Sequence, residues 1–335
     1  SFLEPVLTHL RLDPLDRGLQ VFDAMEIGAQ HHPPLDPDRP VLVAQLYGRQ
    51  LASDVKLTLL NLYPAEHPLT LIQGAGTLGE KGWSVPLFEL DRDSNLNDLT
   101  TLYVPPLSRP SGMAALQEVV ARLRAPDGCP WDREQTHATL RRYLLEETYE
   151  VLAAIDADDR DKLCEELGDL LLQVLLHSQI AVESGEFSSA DVAAGLIAKL
   201  IRRHPHVFGD LDVADASEVL QNWEQLKAKE RGEKDKIKGQ FDGVPVALPA
   251  LLRAQEVQDR AARLGVDGSS QVELDRRIGE ALRQASATTD PERREDAIGE
   301  ALFALVRLTR MLNVEAESAL RQATARYVAE FPADP

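Results

Sequence analysis

The stretch that most constrains the fold is LRRYLLEETYEVLAAIDADDRDKLCEELGDLLLQVLLH, from Leu140 to His177. It predicts two helices joined by a short acidic turn. At about 100° per residue, Glu147 and Glu150 share one side of the first helix, and Glu166 and Asp169 begin a polar stripe on the second. Leucine and valine fill most other positions of the second helix, and a helix that is apolar nearly all round is buried. We therefore expect the polar stripe to be shielded from open water.

An antiparallel hairpin that turns within DADD would bring four carboxylates together. Level residues in such a pair have numbers with a constant sum, so Glu150 faces Glu166 and Glu147 faces Asp169. Like charges at this spacing repel each other, and no lysine lies between Tyr143 and Arg160 to neutralise them. A divalent cation would do so, and all-oxygen sites suit Mg²⁺, with Mn²⁺ as a possible substitute. The alternative is a solvated acidic face, which normally interleaves lysine and arginine.

The same hairpin carries the motifs of a known family. EETYE followed by ELGD resembles the EExxE…ExxD signature of the MazG-like nucleoside triphosphate pyrophosphohydrolases, an all-α family. The upstream GCPWDREQTHATLRRYLLEETYEVL and the downstream RRHPHVFGD and NWEQLK match that family too, so the likeness extends from about Ser108 to Leu264. The resemblance implies a mainly α fold built on a MazG-type helical bundle.

This resemblance also implies a reaction, the metal-dependent hydrolysis of nucleoside or deoxynucleoside triphosphates to a monophosphate and pyrophosphate. Such an enzyme would serve as a house-cleaning activity for the nucleotide pool. Glu147, Glu150, Glu166 and Asp169 would hold the metal, and Glu146 beside them is our candidate for the general base or an orienting group. The residues alone do not separate attack at the α-phosphorus from release of the γ-phosphate.

Basic and aromatic residues outside the hairpin match the positions at which the family contacts its substrate. Lys199 and Arg203, four residues apart, would contact the phosphates together with Lys227, and all three would offset charge on the departing pyrophosphate. Trp223 and Trp131 would cover the base or sugar. The alternative for both tryptophans is a place in the apolar core.

Two further helices are expected around the hairpin. Ser111 is expected to cap a helix that ends near Arg124, and Ser188 or Ser189 to cap a helix that ends near His204. After these helices, the charged stretch 229–240 has no apolar period and is expected to be a solvated loop. A lid over bound triphosphate is the alternative for that stretch.

Residues 1–107 differ from the remainder of the chain in their pattern of apolar residues, which predicts a small α/β segment. Apolar runs at 41–47, 69–76 and 99–107 predict strands, and 50–62 predicts a helix. ASDVKLTLL and YPAEHPLTLIQGAGT resemble the C-terminal half of a tetrapyrrole (precorrin-type) methylase, a domain found fused to MazG-like domains. That family's methyl-donor site also needs a glycine-rich loop from an N-terminal half. We therefore expect a structural or partner-binding remnant rather than a working methyltransferase.

The C-terminal residues resemble a second MazG-like unit that has lost its carboxylates. Ala297 stands where Glu166 does, Glu300 replaces the aspartate, and Glu280 is the carboxylate retained from the first motif. We expect this degenerate repeat to act as a packing partner without a metal site. The predicted domains are a methylase-like segment at 1–107, a catalytic MazG-like segment at 108–243 and the degenerate repeat at 244–335.

Charge and composition limit the possible partners. Thirty-six basic against 55 acidic residues give a net charge of −19, which argues against binding to a nucleic-acid polymer. No apolar run is long enough to span a membrane, no secretory signal is recognisable, and two cysteines are too few for a disulfide framework. These features predict a cytoplasmic protein.

The hairpin also predicts assembly, because two isolated helices cannot bury both of their faces. A four-helix arrangement would bury both faces. We expect a homodimer because two-fold oligomers are the commonest. The alternative functions are a non-catalytic protein that binds nucleotide or metal within an assembly, and a methyltransferase that uses a methyl donor. The intact first motif argues against the non-catalytic alternative.

Overall fold

The computed structural model describes residues 2–216, 218–219, 222–223, 226, 241, 244–266 and 270–331. Two compact units divide the chain, Ser1–Ala194 and Gly195–Pro335. The fold is mainly α with one small sheet near the start of the chain, as the sequence predicts.

The first unit opens with an α/β segment and continues with helices. Its elements are α1 (Leu3–Leu10), β1 (Gln20–Asp23), α2 (Ala24–Gly28), β2 (Val41–Ala44), α3 (Arg49–Leu59), β3 (Pro68–Gln73), β4 (Lys81–Pro86), a 3₁₀ turn (Leu87–Arg92), β5 (Thr100–Val104), α4 (Met113–Arg124), α5 (Pro130–Glu134), α6 (His137–Asp156) and α7 (Arg160–Glu183).

The five strands form one sheet in the order β1-β2-β5-β3-β4. β1 runs parallel to β2, and the other pairs are antiparallel. Val41 and Val43 face a core shared with α2 and α3, whereas Leu42 faces α1 on the other side, as the two-residue period of a strand requires. The three predicted strands and the predicted helix between the first two are confirmed. β1 and β4 were not predicted, because QVFD is short and KGWSVP contains glycine and proline.

α4 begins differently from the prediction. Ser111 does not cap it; Gly112 is the N-cap residue and supplies no side-chain acceptor. Asp38, from the loop before β2, instead holds the backbone just before the helix, because its carboxylate accepts hydrogen bonds from Ser111 N at 2.7 Å and Gly112 N at 2.9 Å. The α/β segment is thereby joined to the first helix of the helical segment.

α6 and α7 form the predicted hairpin. Thr136 and Thr139 make a reciprocal capping box at the start of α6, Asp158 takes the left-handed conformation in the turn with φ 50°, and Asp159 caps α7 by accepting from Lys162 N. Leu140 of α6 packs with apolar residues of α4 and α7 in a small core. The buried members of that core are Val120, Leu140, Leu175, Leu176 and Ile180.

The hairpin buries less apolar surface than its composition predicts. Apolar side chains along both helices remain 38–53% exposed in the chain, which corrects the expectation that α7 is buried all round. They are Leu145, Tyr149 and Ile155 on α6 and Leu167, Val174 and Val182 on α7. The polar stripe itself is shielded as expected, since Glu166 and Gln173 are buried and Asp169 and His177 are half-buried.

The second unit is helical throughout its described elements. α8 (Ser189–Arg203) crosses the boundary between the units, and Ser188 caps it in a reciprocal pair with Asp191. The helices that follow are α9 (Pro205–Phe208), α10 (Ala250–Arg263), α11 (Gln271–Ala287), α12 (Pro291–Met311) and α13 (Ala316–Ala329). No helix in the described part of the chain is long and apolar enough to cross a membrane.

Candidate active site

Three carboxylates of the α6–α7 hairpin converge on one point. Oxygen atoms of Glu147 and Glu150 on α6 and of Glu166 on α7 all lie within 4.8 Å of one another. No other group of three or more aspartate, glutamate, histidine or cysteine side chains comes together in this way among the described residues. The convergence follows from the antiparallel register around the Asp158 turn.

Asp169 adds negative charge to this group. Burial raises the pKa of Glu147, and the neighbouring charges of Asp169, Glu150 and Glu166 raise it further. A carboxylate whose pKa is raised by other carboxylates lies where positive charge is in short supply. Four oxygen-donor side chains in a partly buried setting fit a hard divalent cation.

Lys162 supplies part of the missing charge. It lies on the first turn of α7, and its ammonium group forms an ion pair with the carboxylate of Glu166, whose side chain is 2% exposed. The sequence prediction missed this contact because it considered lysines only as far as Arg160. The spacing of four residues between Lys162 and Glu166 is the signal that reveals the pair.

Glu146 lies next to the carboxylate group without joining the three that converge. Its side chain is 48% exposed, and its carboxylate is 4.0 Å from Arg142 Nε one turn earlier on α6. The role of Glu146 as a base stays a prediction.

The polar stripe of α7 continues beyond the carboxylates. Gln173 is 5% exposed, and its Oε1 has no hydrogen-bond partner among the described residues. One turn further on, His177 stacks on His137 with ring centroids 5.0 Å apart and an Nδ1–Nδ1 distance of 2.7 Å. Burial, and then the proximity of His137, lower the pKa of His177, which favours the neutral form of the His177 imidazole.

Trp131 lies on α5, just before the hairpin. Its side chain is 48% exposed and meets the ring of Tyr143 edge to face, with centroids 5.6 Å apart and planes at 76°. Trp131 is therefore not a core residue within this chain. One face of an exposed indole is open to stacking.

The predicted phosphate-contacting residues Lys199 and Arg203 lie on the part of α8 that belongs to the second unit. Arg203 Cζ is 5.9 Å from the ring centroid of Trp223, so two predicted substrate residues contact each other through a cation–π interaction. Lys199 is exposed on the same helix. Lys227 and the stretch 229–240 lie outside the described residues.

Sequence comparisons identify the lineage of the hairpin. The model of the MazG nucleotide pyrophosphohydrolase domain matches residues 135–208, which contain α6, α7 and α8. The nucleoside triphosphate pyrophosphohydrolase/pyrophosphatase MazG of Thermotoga maritima is 43% identical over 216 residues, which are 64% of this chain and 82% of that protein. The chain belongs to the MazG nucleotide pyrophosphohydrolase family. The four predicted metal ligands all lie inside the matched MazG region.

Similarity also extends beyond the MazG domain. The uncharacterized protein YabN of Bacillus subtilis is 42% identical over 262 residues, which are 77% of this chain, and the chain spans about half of that relative (52%). A uroporphyrin-III-C-methyltransferase structure from Thermus thermophilus aligns at 23% identity and a TM-score of 0.25, covering 30% of this chain and 44% of that one. A match at this TM-score carries no argument, and the methylase likeness of residues 1–107 rests on its sequence motifs.

In residues 244–335, which we predict to be a degenerate MazG-like repeat, no group of three carboxylates converges among the described residues. α11 and α12 pack against each other, and Ala297, at the position of Glu166, is buried. Glu280 and Glu300, the two carboxylates that the sequence comparison of the repeats retains, are paired with arginines. Arg276 Nη1 lies 2.6 Å from Glu280 Oε1, and Arg277 Nη2 lies 3.6 Å from Glu300 Oε2.

Proposed function

We propose that this chain hydrolyses nucleoside and deoxynucleoside triphosphates to the monophosphate and pyrophosphate, using residues 108–243 as its catalytic segment. The convergence of Glu147, Glu150 and Glu166 carries this proposal, since it brings together oxygen atoms of three of the four predicted metal ligands. The relative from Thermotoga maritima bears the name of this activity. In this scheme residues 1–107 have a structural or partner-binding role. Residues 244–335 are a packing partner without a metal site.

The carboxylate group would hold Mg²⁺, with Mn²⁺ as a substitute. Glu147, Glu150, Glu166 and Asp169 offer carboxylate oxygens, which hard cations prefer to nitrogen or sulfur. Burial, and then the charges of Asp169, Glu150 and Glu166, raise the pKa of Glu147, and this excess of negative charge supports a cation site. Bound Mg²⁺ would supply positive charge to the phosphates and make water a stronger nucleophile.

Attack of water at the α-phosphorus requires a group that accepts the proton of the water and positive charge that offsets the negative charge on the leaving pyrophosphate. The water oxygen forms a bond to the α-phosphorus, the bond from that phosphorus to the bridging oxygen breaks, and pyrophosphate leaves. Glu146 would accept the proton of the attacking water or orient it. Lys199, Arg203 and Lys227 would offset the charge on pyrophosphate, and Trp131 and Trp223 would cover the base or sugar.

A second copy of the chain would complete the helical bundle. α6 and α7 expose apolar side chains, and a four-helix bundle normally buries such side chains in its core. Burial of apolar surface stabilises an assembly by roughly 25 cal/mol for each Å² removed from water. We therefore propose a homodimer in which two hairpins share one core.

The products and the labelled oxygen test this proposal. The full chain is incubated with ATP or dATP and Mg²⁺ in ¹⁸O-water, and phosphorus NMR and mass spectrometry identify the products. We expect monophosphate carrying one ¹⁸O and unlabelled pyrophosphate. A diphosphate with labelled orthophosphate would show attack at the γ-phosphorus instead, and label in pyrophosphate would place the attack at the β-phosphorus.

A further inference from the structure

Lys162 makes a contact that the proposed reaction does not use. Its ammonium group pairs with the buried carboxylate of Glu166 and lies 3.3 Å from Oε2 of the more exposed Glu165. The Lys162 side chain is itself 51% exposed. It therefore places a positive charge on one of the three converging carboxylates while its stem remains in solvent.

Helix stability does not explain this lysine. Lys162 lies in the first turn of α7, where the helix dipole disfavours a cation. A lysine four residues before a glutamate is also the less favourable order for such a pair. The contact instead offsets the cost of burying the charge of Glu166, because a buried carboxylate needs a partner.

The ammonium group of Lys162 and a bound divalent cation would compete for the carboxylate of Glu166. Glu166 is a member of the converging group with Glu147 and Glu150, so a divalent cation that uses all three must share it with the ammonium group or displace that group. Like charges a few ångströms apart repel strongly in a partly buried setting. The presence of Lys162 therefore opposes the entry of a divalent cation.

We propose that Lys162 is a built-in competitor for Glu166 that weakens divalent-cation binding to the hairpin and stabilises the carboxylate group when the cation is scarce. This proposal rests on the proposed function, because it presupposes that the four carboxylates bind metal. It makes Lys162 a residue that sets metal affinity, rather than a catalytic residue. Metal affinity and metal-free stability should then change in opposite directions when the lysine is neutralised.

Equilibrium binding of Mn²⁺ alone tests the proposal without reference to activity. Free Mn²⁺ is measured by electron paramagnetic resonance in titrations of the full chain and of its Lys162→Gln, Lys162→Arg and Arg160→Gln variants. Lys162→Gln should bind Mn²⁺ about tenfold more tightly, a difference of about 1.4 kcal/mol. Lys162→Arg keeps the charge and should stay near the wild type. Arg160→Gln removes an exposed charge from the same turn and should also change little.

Melting without metal supplies the second measurement. In chelator, Lys162→Gln should melt at a lower temperature than the wild type, because Glu166 loses its partner. Addition of Mn²⁺ should raise the melting temperature of Lys162→Gln by more than that of the wild type. Lys162→Met, which keeps an apolar stem, replaces Lys162→Gln if circular dichroism shows that the glutamine variant is unfolded. Equal or weaker Mn²⁺ binding by the neutral variant overturns the proposal for Lys162. Failure of the wild type itself to bind Mn²⁺ overturns the metal site of the proposed function, and this proposal with it.

Discussion

Single side chains determine what the α6–α7 hairpin binds. Glu147, Glu150 and Glu166 bring three oxygens within 4.8 Å of one another, and Asp169 adds a further charge that helps to raise the pKa of Glu147. Lys162 pairs with Glu166. Four carboxylates against this ammonium group leave an excess of negative charge, which is the physical reason to expect a divalent cation here.

Relief of this repulsion predicts the effect of neutralising a ligand. Asp169→Asn removes one of the charges that raise the pKa of Glu147, so in chelator the variant should melt at the same temperature as the wild type or slightly higher. Differential scanning calorimetry with and without Mg²⁺ measures this. Asp169→Asn should also lose most of the Mg²⁺-induced increase. A fall of many degrees in chelator would show that Asp169 is a structural residue.

Glu146 provides a separate test of chemistry against binding. Because it lies outside the converging carboxylates, Glu146→Gln should lower kcat by about 10²–10⁴-fold if it is the general base. Its Mn²⁺ affinity should stay within a few-fold of the wild type. Steady-state kinetics and Mn²⁺ titration together decide the role. An unchanged kcat would assign the proton to another acceptor.

At the scale of elements, α4 connects the parts of the first unit. Asp38 of the α/β segment accepts hydrogen bonds from the backbone just before it, and Val120 packs against α7. Arg124 at its end, with a side chain 5% exposed, forms two hydrogen bonds with Glu183 of α7, at 2.9 and 2.7 Å. Arg124 also donates to the backbone oxygens of Asp132 and Gln135, which precede α6. This arginine therefore ties α4 to α7 and to the segment that leads into α6.

The Arg124–Glu183 pair predicts a pH dependence of stability. The hydrogen bonds from Arg124 hold the pKa of Glu183 below its usual value. The stability gained from the pair is therefore present above the ordinary glutamate pKa and is lost as pH falls through the lowered folded value. Arg124→Met should destabilise the chain by on the order of 2 kcal/mol near pH 7. Urea unfolding at several pH values should show this difference shrinking on acidification, and a pH-independent difference would contradict the assignment.

Local features were predicted from the sequence more completely than distant contacts. The constant sum across the hairpin placed Glu150 opposite Glu166 because both helices and their turn are contiguous. The cap on α4 was assigned to Ser111, whereas Ser111 instead donates its backbone N–H to Asp38, 73 residues away. No spacing rule reveals such a contact. The pair between Lys162 and Glu166 is local and was predictable from helical spacing.

At the scale of the whole molecule, exposed apolar surface is the main feature left to explain. Both helices of the first hairpin expose leucine, valine and isoleucine side chains. In the degenerate repeat, Leu302, Phe303 and Leu305 on α12 are also 42–48% exposed. The sequence predicts that this repeat is a packing partner, yet these side chains remain exposed in the single chain. Association between copies would remove such surface from water.

A charge on this surface should therefore prevent association. Val182 lies near the end of α7 and is 50% exposed, so Val182→Asp should leave the monomer folded while placing a carboxylate in the proposed dimer core. Sedimentation equilibrium should give twice the chain mass for the wild type and the single-chain mass for the variant. Leu78→Asp, at a fully exposed loop position of the α/β segment, is the matched control and should remain dimeric. A monomeric wild type would contradict the proposed homodimer.

The central claim is that the first hairpin hydrolyses triphosphates and that the degenerate repeat does not. It is tested most directly by measuring pyrophosphate release from a panel of nucleoside and deoxynucleoside triphosphates with Mg²⁺ and with chelator. The wild type and Glu280→Gln, whose carboxylate is paired with Arg276, should release pyrophosphate at similar rates with Mg²⁺ and none in chelator. Glu150→Gln should release none under either condition while remaining folded. Full activity in Glu150→Gln, or loss of activity in Glu280→Gln with its fold intact, would contradict the account.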